Sequence, residues 1–108
     1  MASAFKLKTK ANIGVTTVGI YTVPSATTTT VIGITIANIS GSGINVGVGI
    51  TRTSADNISL MRNVPIPQGS TLEFMQGNKI IMEATDTLTV VSDVNGSVDA
   101  ALSILEIT

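Results

Sequence analysis

Apolar residues recur at every second position through most of this chain, and that period leaves it few folds. Between residues 31 and 48 the even positions carry Ile32, Ile34, Ile36, Ile44, Val46 and Val48, with mostly Gly, Thr, Ala and Asn between them. The same beat returns in Ile58/Leu60, Leu72/Phe74, Ile80/Met82, Leu88/Val90 and Leu102/Ile104. Alternation of period two is the mark of a strand with one face buried and the other free. A long helix would need a period near 3.6 and fewer β-branched residues than this chain holds. Candidate strands fall at about 4–10, 14–23, 29–40, 44–54, 57–62, 70–76, 79–84, 86–92 and 97–107, a spacing of roughly 8–12 residues with turn chemistry between them. The expected fold is all-β: a single antiparallel β-sandwich, jelly-roll or Ig-like, of about 8–9 strands.

Punctuation between the strands agrees with this. Ser40-Gly41-Ser42-Gly43 is expected to join two long strands as a hairpin, and Pro67-Gln68-Gly69-Ser70, Gln76-Gly77-Asn78 and Asn95-Gly96 mark further turns. Pro24 ends the second strand, because it has no N–H to give a ladder. On the non-core face of the strand at 44–54, Asn45, Gly47 and Gly49 leave a shallow stripe of backbone. Such a stripe either relieves bend and twist or lets another backbone approach closely, here that of a neighbouring subunit.

With 108 residues and no break in composition, the chain reads as one domain, large enough to bury roughly two-thirds of its unfolded surface. Residues 1–10 form an N-terminal arm or edge strand, and residues 11–108 the sandwich. The apolar content comes from aliphatic side chains, since Phe5, Tyr21 and Phe74 are the only aromatic rings. Six basic against seven acidic residues leave a net charge of −1, which excludes a polybasic nucleic-acid binder. So few charges protect an aliphatic surface poorly against self-association, which points to a life inside an assembly. The N-terminus lacks the apolar run of a signal peptide, and no window approaches the roughly 20 apolar residues of a spanning helix. A soluble product made in the cytoplasm is expected, with no membrane partner.

The chain is poor in groups that do chemistry. It has no cysteine for a disulfide or thiolate site and no histidine, so a zinc ion would depend on carboxylates alone. Glu83 and Asp86 are close in sequence, yet no His, Cys or placed Lys stands nearby to complete an acid–base pair; a solvated strand face and turn is the expected setting. Asp93, Asn95 and Asp99 flank a turn and could offer oxygens to Ca²⁺, although their spacing is not that of an EF-hand loop. No catalytic residue and no cofactor is expected. The sequons at Asn38, Asn57 and Asn95 are read as turn residues rather than glycosylation sites.

The N-terminal segment carries the candidate contact residues. Lys6, Lys8 and Lys10 alternate with Phe5, Leu7 and Thr9, so an extended chain sets the three ammonium groups on one side, roughly 6–7 Å apart. Lysine on an outer strand discourages further pairing. Equally, an arm of this pattern could meet an acidic neighbour with Lys6, Lys8 and Lys10 while Phe5 and Leu7 anchor its other side.

Residues from Tyr21 onward carry a resemblance. Tyr21-Thr22-Val23-Pro24 and a Thr-rich entrance to Val31-Ile32-Gly33-Ile34-Thr35-Ile36-Ala37-Asn38 are similar to small tailed-phage virion proteins, of the type found in phages of marine bacteria and cyanobacteria. Val64-Pro65-Ile66-Pro67-Gln68-Gly69-Ser70-Thr71-Leu72-Glu73, Lys79-Ile80-Ile81-Met82-Glu83-Ala84, Asp86-Thr87-Leu88-Thr89-Val90 and the closing Val98–Ile107 segment extend it over roughly residues 13–108. Members of that group often have Gly before the aspartate, where Thr85 stands here. The resemblance implies a virion structural component on the particle exterior, with no catalytic residues. A head-decoration (cement) protein bound to the major capsid protein is the leading expectation. It would form a homo-oligomer, of which a trimer is one form, and Phe5, Lys6, Leu7, Lys8 and Lys10 would make its contacts. A neck, tail or fibre-attachment component in contact with other virion proteins is the alternative. A carbohydrate-binding module is a third, with Tyr21 as the ring to stack on a sugar.

Overall fold

A computed structural model describes residues 2–53, 55–74 and 79–108. Among them are nine strands: β1 (Ser3–Ile13), β2 (Val18–Thr22), β3 (Thr28–Asn38), β4 (Ile44–Thr51), β5 (Ile58–Ile66), β6 (Thr71–Phe74), β7 (Ile80–Met82), β8 (Thr87–Ser92) and β9 (Val98–Ile107). The described residues contain no helix long and apolar enough to cross a membrane. The expected turn at Gln76-Gly77-Asn78 lies outside the described residues.

The strands form two antiparallel sheets, ordered β1-β9-β3-β6 and β2-β8-β4-β5. β7 pairs Thr29–Val31 of β3, and β6 pairs Ile34–Ala37, so the two short strands occupy successive stretches of one edge. Counted as one, they complete a rolled hairpin: β1 pairs β9, β2 pairs β8, β3 pairs β6 and β7, and β4 pairs β5. The pairings β9–β3 and β8–β4 then join those ribbons into two sheets. This connectivity is that of a jelly roll, not an Ig domain.

Alternation fills the space between the sheets. Ile34, Ile36, Leu102 and Ile104 come from one sheet and Val46, Val48, Leu88 and Val90 from the other, all buried. Each such side chain contributes about 1.5–3 kcal/mol by leaving water. In β3 the beat slips by one residue. Val31 and Ile34 both point inward while Ile32 is exposed, because the β3–β9 register shifts between Val31 and Gly33. A bulge of this kind inserts one unpaired residue and exchanges the faces beyond it. Ile32, expected in the core, therefore faces outward; Ile58, also expected there, is exposed although it opposes buried Ile50.

The turn at Ser40–Gly43 does not make a hairpin, since β3 and β4 lie in different sheets. Asn38 explains the crossing. Its buried amide donates to the carbonyls of Ser42, Ile66 and Pro67, while its Oδ1 accepts from the N–H and hydroxyl of Ser40. One side chain thus ties the end of β3 to the loop leaving β5. That loop turns at Pro67–Ser70, where Ser70 N–H donates to Pro67 O at 3.1 Å and Gly69 takes φ 70°, the left-handed position such a turn requires.

Gly47 and Gly49 have an internal explanation. β5 bulges twice against β4, between Val46 and Val48 and again between Val48 and Gly49. A Cβ on Gly49 would lie 2.7 Å from the Ile58 carbonyl oxygen. The backbone that approaches closely belongs to the chain's own β5.

Candidate functional site

Among the described residues, three of the four sheet edges are blunted. β2 has five residues and a register shift, β5 carries two shifts and Pro65, and the β6/β7 edge consists of two short pieces. Short, bulged or proline-bearing edges resist pairing with another chain. β1 differs. It runs in unbroken register with β9 from Ser3↔Ile107 to Lys10↔Ala100 and shifts only between Lys10 and Ile13.

Its faces are inverted relative to the other strands. Residues directly opposite each other share a face. Lys6, Lys8 and Lys10 oppose Ile104, Leu102 and Ala100, whose side chains fill the core, so the lysines lie on the inner side at the open rim of the sandwich. Phe5 and Leu7 oppose Leu105 and Ser103 on the outer side, and they are 77% and 64% exposed. Of the eleven residues of β1 only Ile13 is buried.

A polar network receives the lysines. Lys6 Nζ is 2.9 Å from Glu106 Oε1, and Tyr21 donates its hydroxyl to Glu106 Oε2 at 2.5 Å. Having given its one proton, the Tyr21 oxygen accepts from Thr29 Oγ1 at 2.8 Å. Lys8 Nζ lies 5.8 Å from the centroid of the Tyr21 ring, a cation–π distance. The hydrogen bonds from Tyr21 and then Lys6 hold the Glu106 carboxyl below its ordinary range. Burial, followed by the bond to Glu106, pushes the Tyr21 phenol up to about 12. β9 thus supplies the carboxylate, β2 the tyrosine that donates to it, β3 the threonine that holds that tyrosine, and β1 delivers the cation. Lys6 is engaged within its own chain rather than offered outward. Tyr21, the candidate ring for sugar stacking, is only 7% exposed and spends its hydroxyl on Glu106, so it cannot act as a platform.

The outer side of the same sheet is apolar along one row. Phe5 opposes Leu105, Leu105 opposes Thr30, and Thr30 opposes Ile81, which is 66% exposed. Ile32, turned out by the bulge, adds to this band.

The remaining carboxylates bind the chain to itself. Arg52 Nε meets Asp86 Oδ1 at 3.0 Å and its Nη2 meets Glu83 Oε1 at 2.5 Å. The Glu83–Asp86 pair expected to sit solvated and unpartnered thus shares a guanidinium, and Asp86 is buried. Those two bonds raise the Arg52 pKa further. Asp86 Oδ2 also accepts the Glu83 N–H. In this turn Thr85 holds φ 72°, a left-handed conformation that favours glycine. Asp93 caps the Asn45 N–H and Asp99 the Asn12 N–H, both at 3.0 Å, so these acids serve loops. Asn57 likewise caps the Arg52 N–H.

Sequence reasoning missed Glu106, although its parity is a signal. It falls in step with Leu102 and Ile104, which puts a carboxylate on the inner face of β9, where it demands a partner. Arg52 gave no such signal, since 34 residues separate it from Asp86.

No protein-family model matches this chain, and no curated protein is significantly similar to it. Among solved structures, the chain is similar to a protein of Bacillus endospore appendages, described as forming disulfide-linked pili. The two share 12% identity at a TM-score of 0.60, over 99% of this chain and 87% of that one. A second similarity, at TM-score 0.26 and 14% identity, covers 97% of this chain and 41% of a chain in the structure of infectious bursal disease virus, Gt strain; it carries no argument. The pilus protein shares the fold.

Proposed function

We propose that the protein is a non-catalytic structural subunit of a tailed-phage particle, carried on the exterior as a head-decoration protein bound to the major capsid lattice. β1 is the docking edge. The observation that carries this reading is the inversion of that strand: lysines inside, Phe5 and Leu7 outside. A monomer gains nothing by holding these two side chains in water, whereas burying each against a partner contributes about 1.5–3 kcal/mol. Repetition over a lattice multiplies such modest contacts into firm attachment. A net charge of −1 opposes close packing of copies only weakly.

A neck, tail or appendage subunit is the second reading, favoured by the fold shared with a pilus-forming protein along nearly the whole chain. That protein's pili are described as disulfide-linked. This chain has no cysteine, so disulfides of its own cannot link its copies.

Quantitative mass spectrometry of purified virions tests the proposal. Hundreds of copies per particle support a decoration protein. A few dozen or fewer favour the neck or tail. Absence from the particle overturns both.

A further inference from the structure

The strand that presents Phe5 and Leu7 is weakly held by the domain it belongs to. Along Ser3–Lys10 no side chain is buried, and only Lys8 is half covered. The attachment is the β9 ladder, the Lys6–Glu106 pair and the Lys8–Tyr21 contact. Segments with few buried apolar contacts open at low free energy. Just beyond, the chain is fixed: Ile13 is 1% exposed, its carbonyl accepts from Ser97 N–H, and the Gly14 carbonyl accepts from Ser92 N–H. Between the loose part and the fixed part stands Asn12, in the left-handed region at φ 56°, at the register shift of β1. This is the position about which the arm swings if β1 leaves.

Departure exposes a receptor of defined chemistry. The β9 edge presents an unpaired ladder, and Glu106, only 8% exposed at its side chain, keeps the Tyr21 hydroxyl but loses its cation. An incoming strand must be extended and must bring an ammonium group opposite Ile104. Ser3–Lys10 of a second copy meets both conditions. A two-fold β1–β1 pairing does not. An antiparallel two-fold keeps inner face against inner face, and the lysines of both copies would then confront each other.

We propose that Ser3–Lys10 is an exchangeable strand. In the assembled protein each copy's β1 pairs with β9 of a neighbouring copy and places its Lys6 on that neighbour's Glu106. Exchange restores the contacts that Ser3–Lys10 makes in the closed monomer and adds the linkage between copies, the low-cost route by which identical subunits join. A short, strained hinge favours it. The inference concerns contacts between copies and holds for either location on the particle.

Leu7 and Ser103 provide the test. Ala2 and Thr108 exchange both backbone hydrogen bonds, so alternation along the ladder makes Leu7↔Ser103 a non-hydrogen-bonded pair, with Cα atoms about 4.5 Å apart and suited to a disulfide. Both residues are exposed on the outer side, and the chain has no cysteine of its own to interfere. Leu7→Cys and Ser103→Cys chains are mixed, concentrated and oxidised. Exchange predicts disulfides that join position 7 of one chain to position 103 of another, in excess of their random proportion among all dimers. In the second arm, Leu7→Cys/Ser103→Cys protein is oxidised in dilute solution so that each β1 is locked to its own β9. Size-exclusion chromatography then shows the locked protein as a folded monomer that forms oligomers only after reduction. Cross-linking at the random proportion, or a locked protein that oligomerises as readily as the reduced one, overturns exchange. Virion copy number is a separate readout, so the location on the particle stands or falls independently.

Discussion

Glu106→Gln removes one charge from the rim of the sandwich and leaves the side chain's shape unchanged. The hydrogen bond from Tyr21 then ends on a neutral oxygen. A bond to a charged acceptor is worth about 1.5–3 kcal/mol and a neutral one about 0.5–1.5, so roughly 1–1.5 kcal/mol is lost. The Lys6 pair, half exposed on the lysine side, adds about 0–1 kcal/mol. The expected destabilisation at neutral pH is therefore roughly 1–2.5 kcal/mol, a fall in Tm of about 4–15 °C for a domain of this size. Urea denaturation followed by circular dichroism measures it. pH supplies a further check. The carboxyl of Glu106 is held below its unfolded value, near about 4.3, so its contribution is present above that value and is lost as pH falls through the folded one. The difference between wild type and Glu106→Gln should shrink as pH drops below about 4. Tyr21→Phe closes a double-mutant cycle, and the two changes should couple rather than add. Equal stability at pH 7, or a difference that persists undiminished in acid, refutes the network as the fastening of β1.

Phe5→Thr/Leu7→Thr keeps β propensity on exposed positions, so stability should change by no more than about 0.5 kcal/mol while binding to particles is lost; unchanged co-sedimentation with particles would remove β1 as the docking edge. Gly49→Ala forces a methyl group to 2.7 Å from the Ile58 carbonyl oxygen, and a loss of about 1–3 kcal/mol by urea titration is expected, since β5 backbone must move. Thr85→Gly relieves a β-branched residue at φ 72° and should leave the protein at least as stable, the strain of about 1–2 kcal/mol outweighing glycine's entropy; a marked fall in Tm would show that the Thr85 hydroxyl's bond to Thr53 matters more than the backbone.

Strand positions were legible in the chain because burial of one face imposes a period that sequence displays directly. What was illegible depended on contacts between distant residues. Nothing near Ile32 announces the bulge that turns it outward, for the slip is defined against β9. Ser40-Gly41-Ser42-Gly43 has hairpin chemistry, but the partner of β4 is selected by the roll of the whole ribbon and by Asn38 reaching Ile66 and Pro67. The glycines of β4 were visible, while the strand leaning over them was not. At the candidate site, the alternation of Lys6, Lys8 and Lys10 with Phe5 and Leu7 could be read at once. Which set faces the core could not, because this strand reverses the usual polarity and only the register with β9 decides it.

Amide hydrogen exchange, compared between the free protein and the protein on its particle, tests most directly that β1 is a loosely fastened assembly edge. In the free protein, Ser3–Lys10 should exchange much faster than β3, and assembly should slow exchange most in that same segment. If β1 is already as protected as β3 when free, and attachment instead shields the β4–β5 face, the account is contradicted.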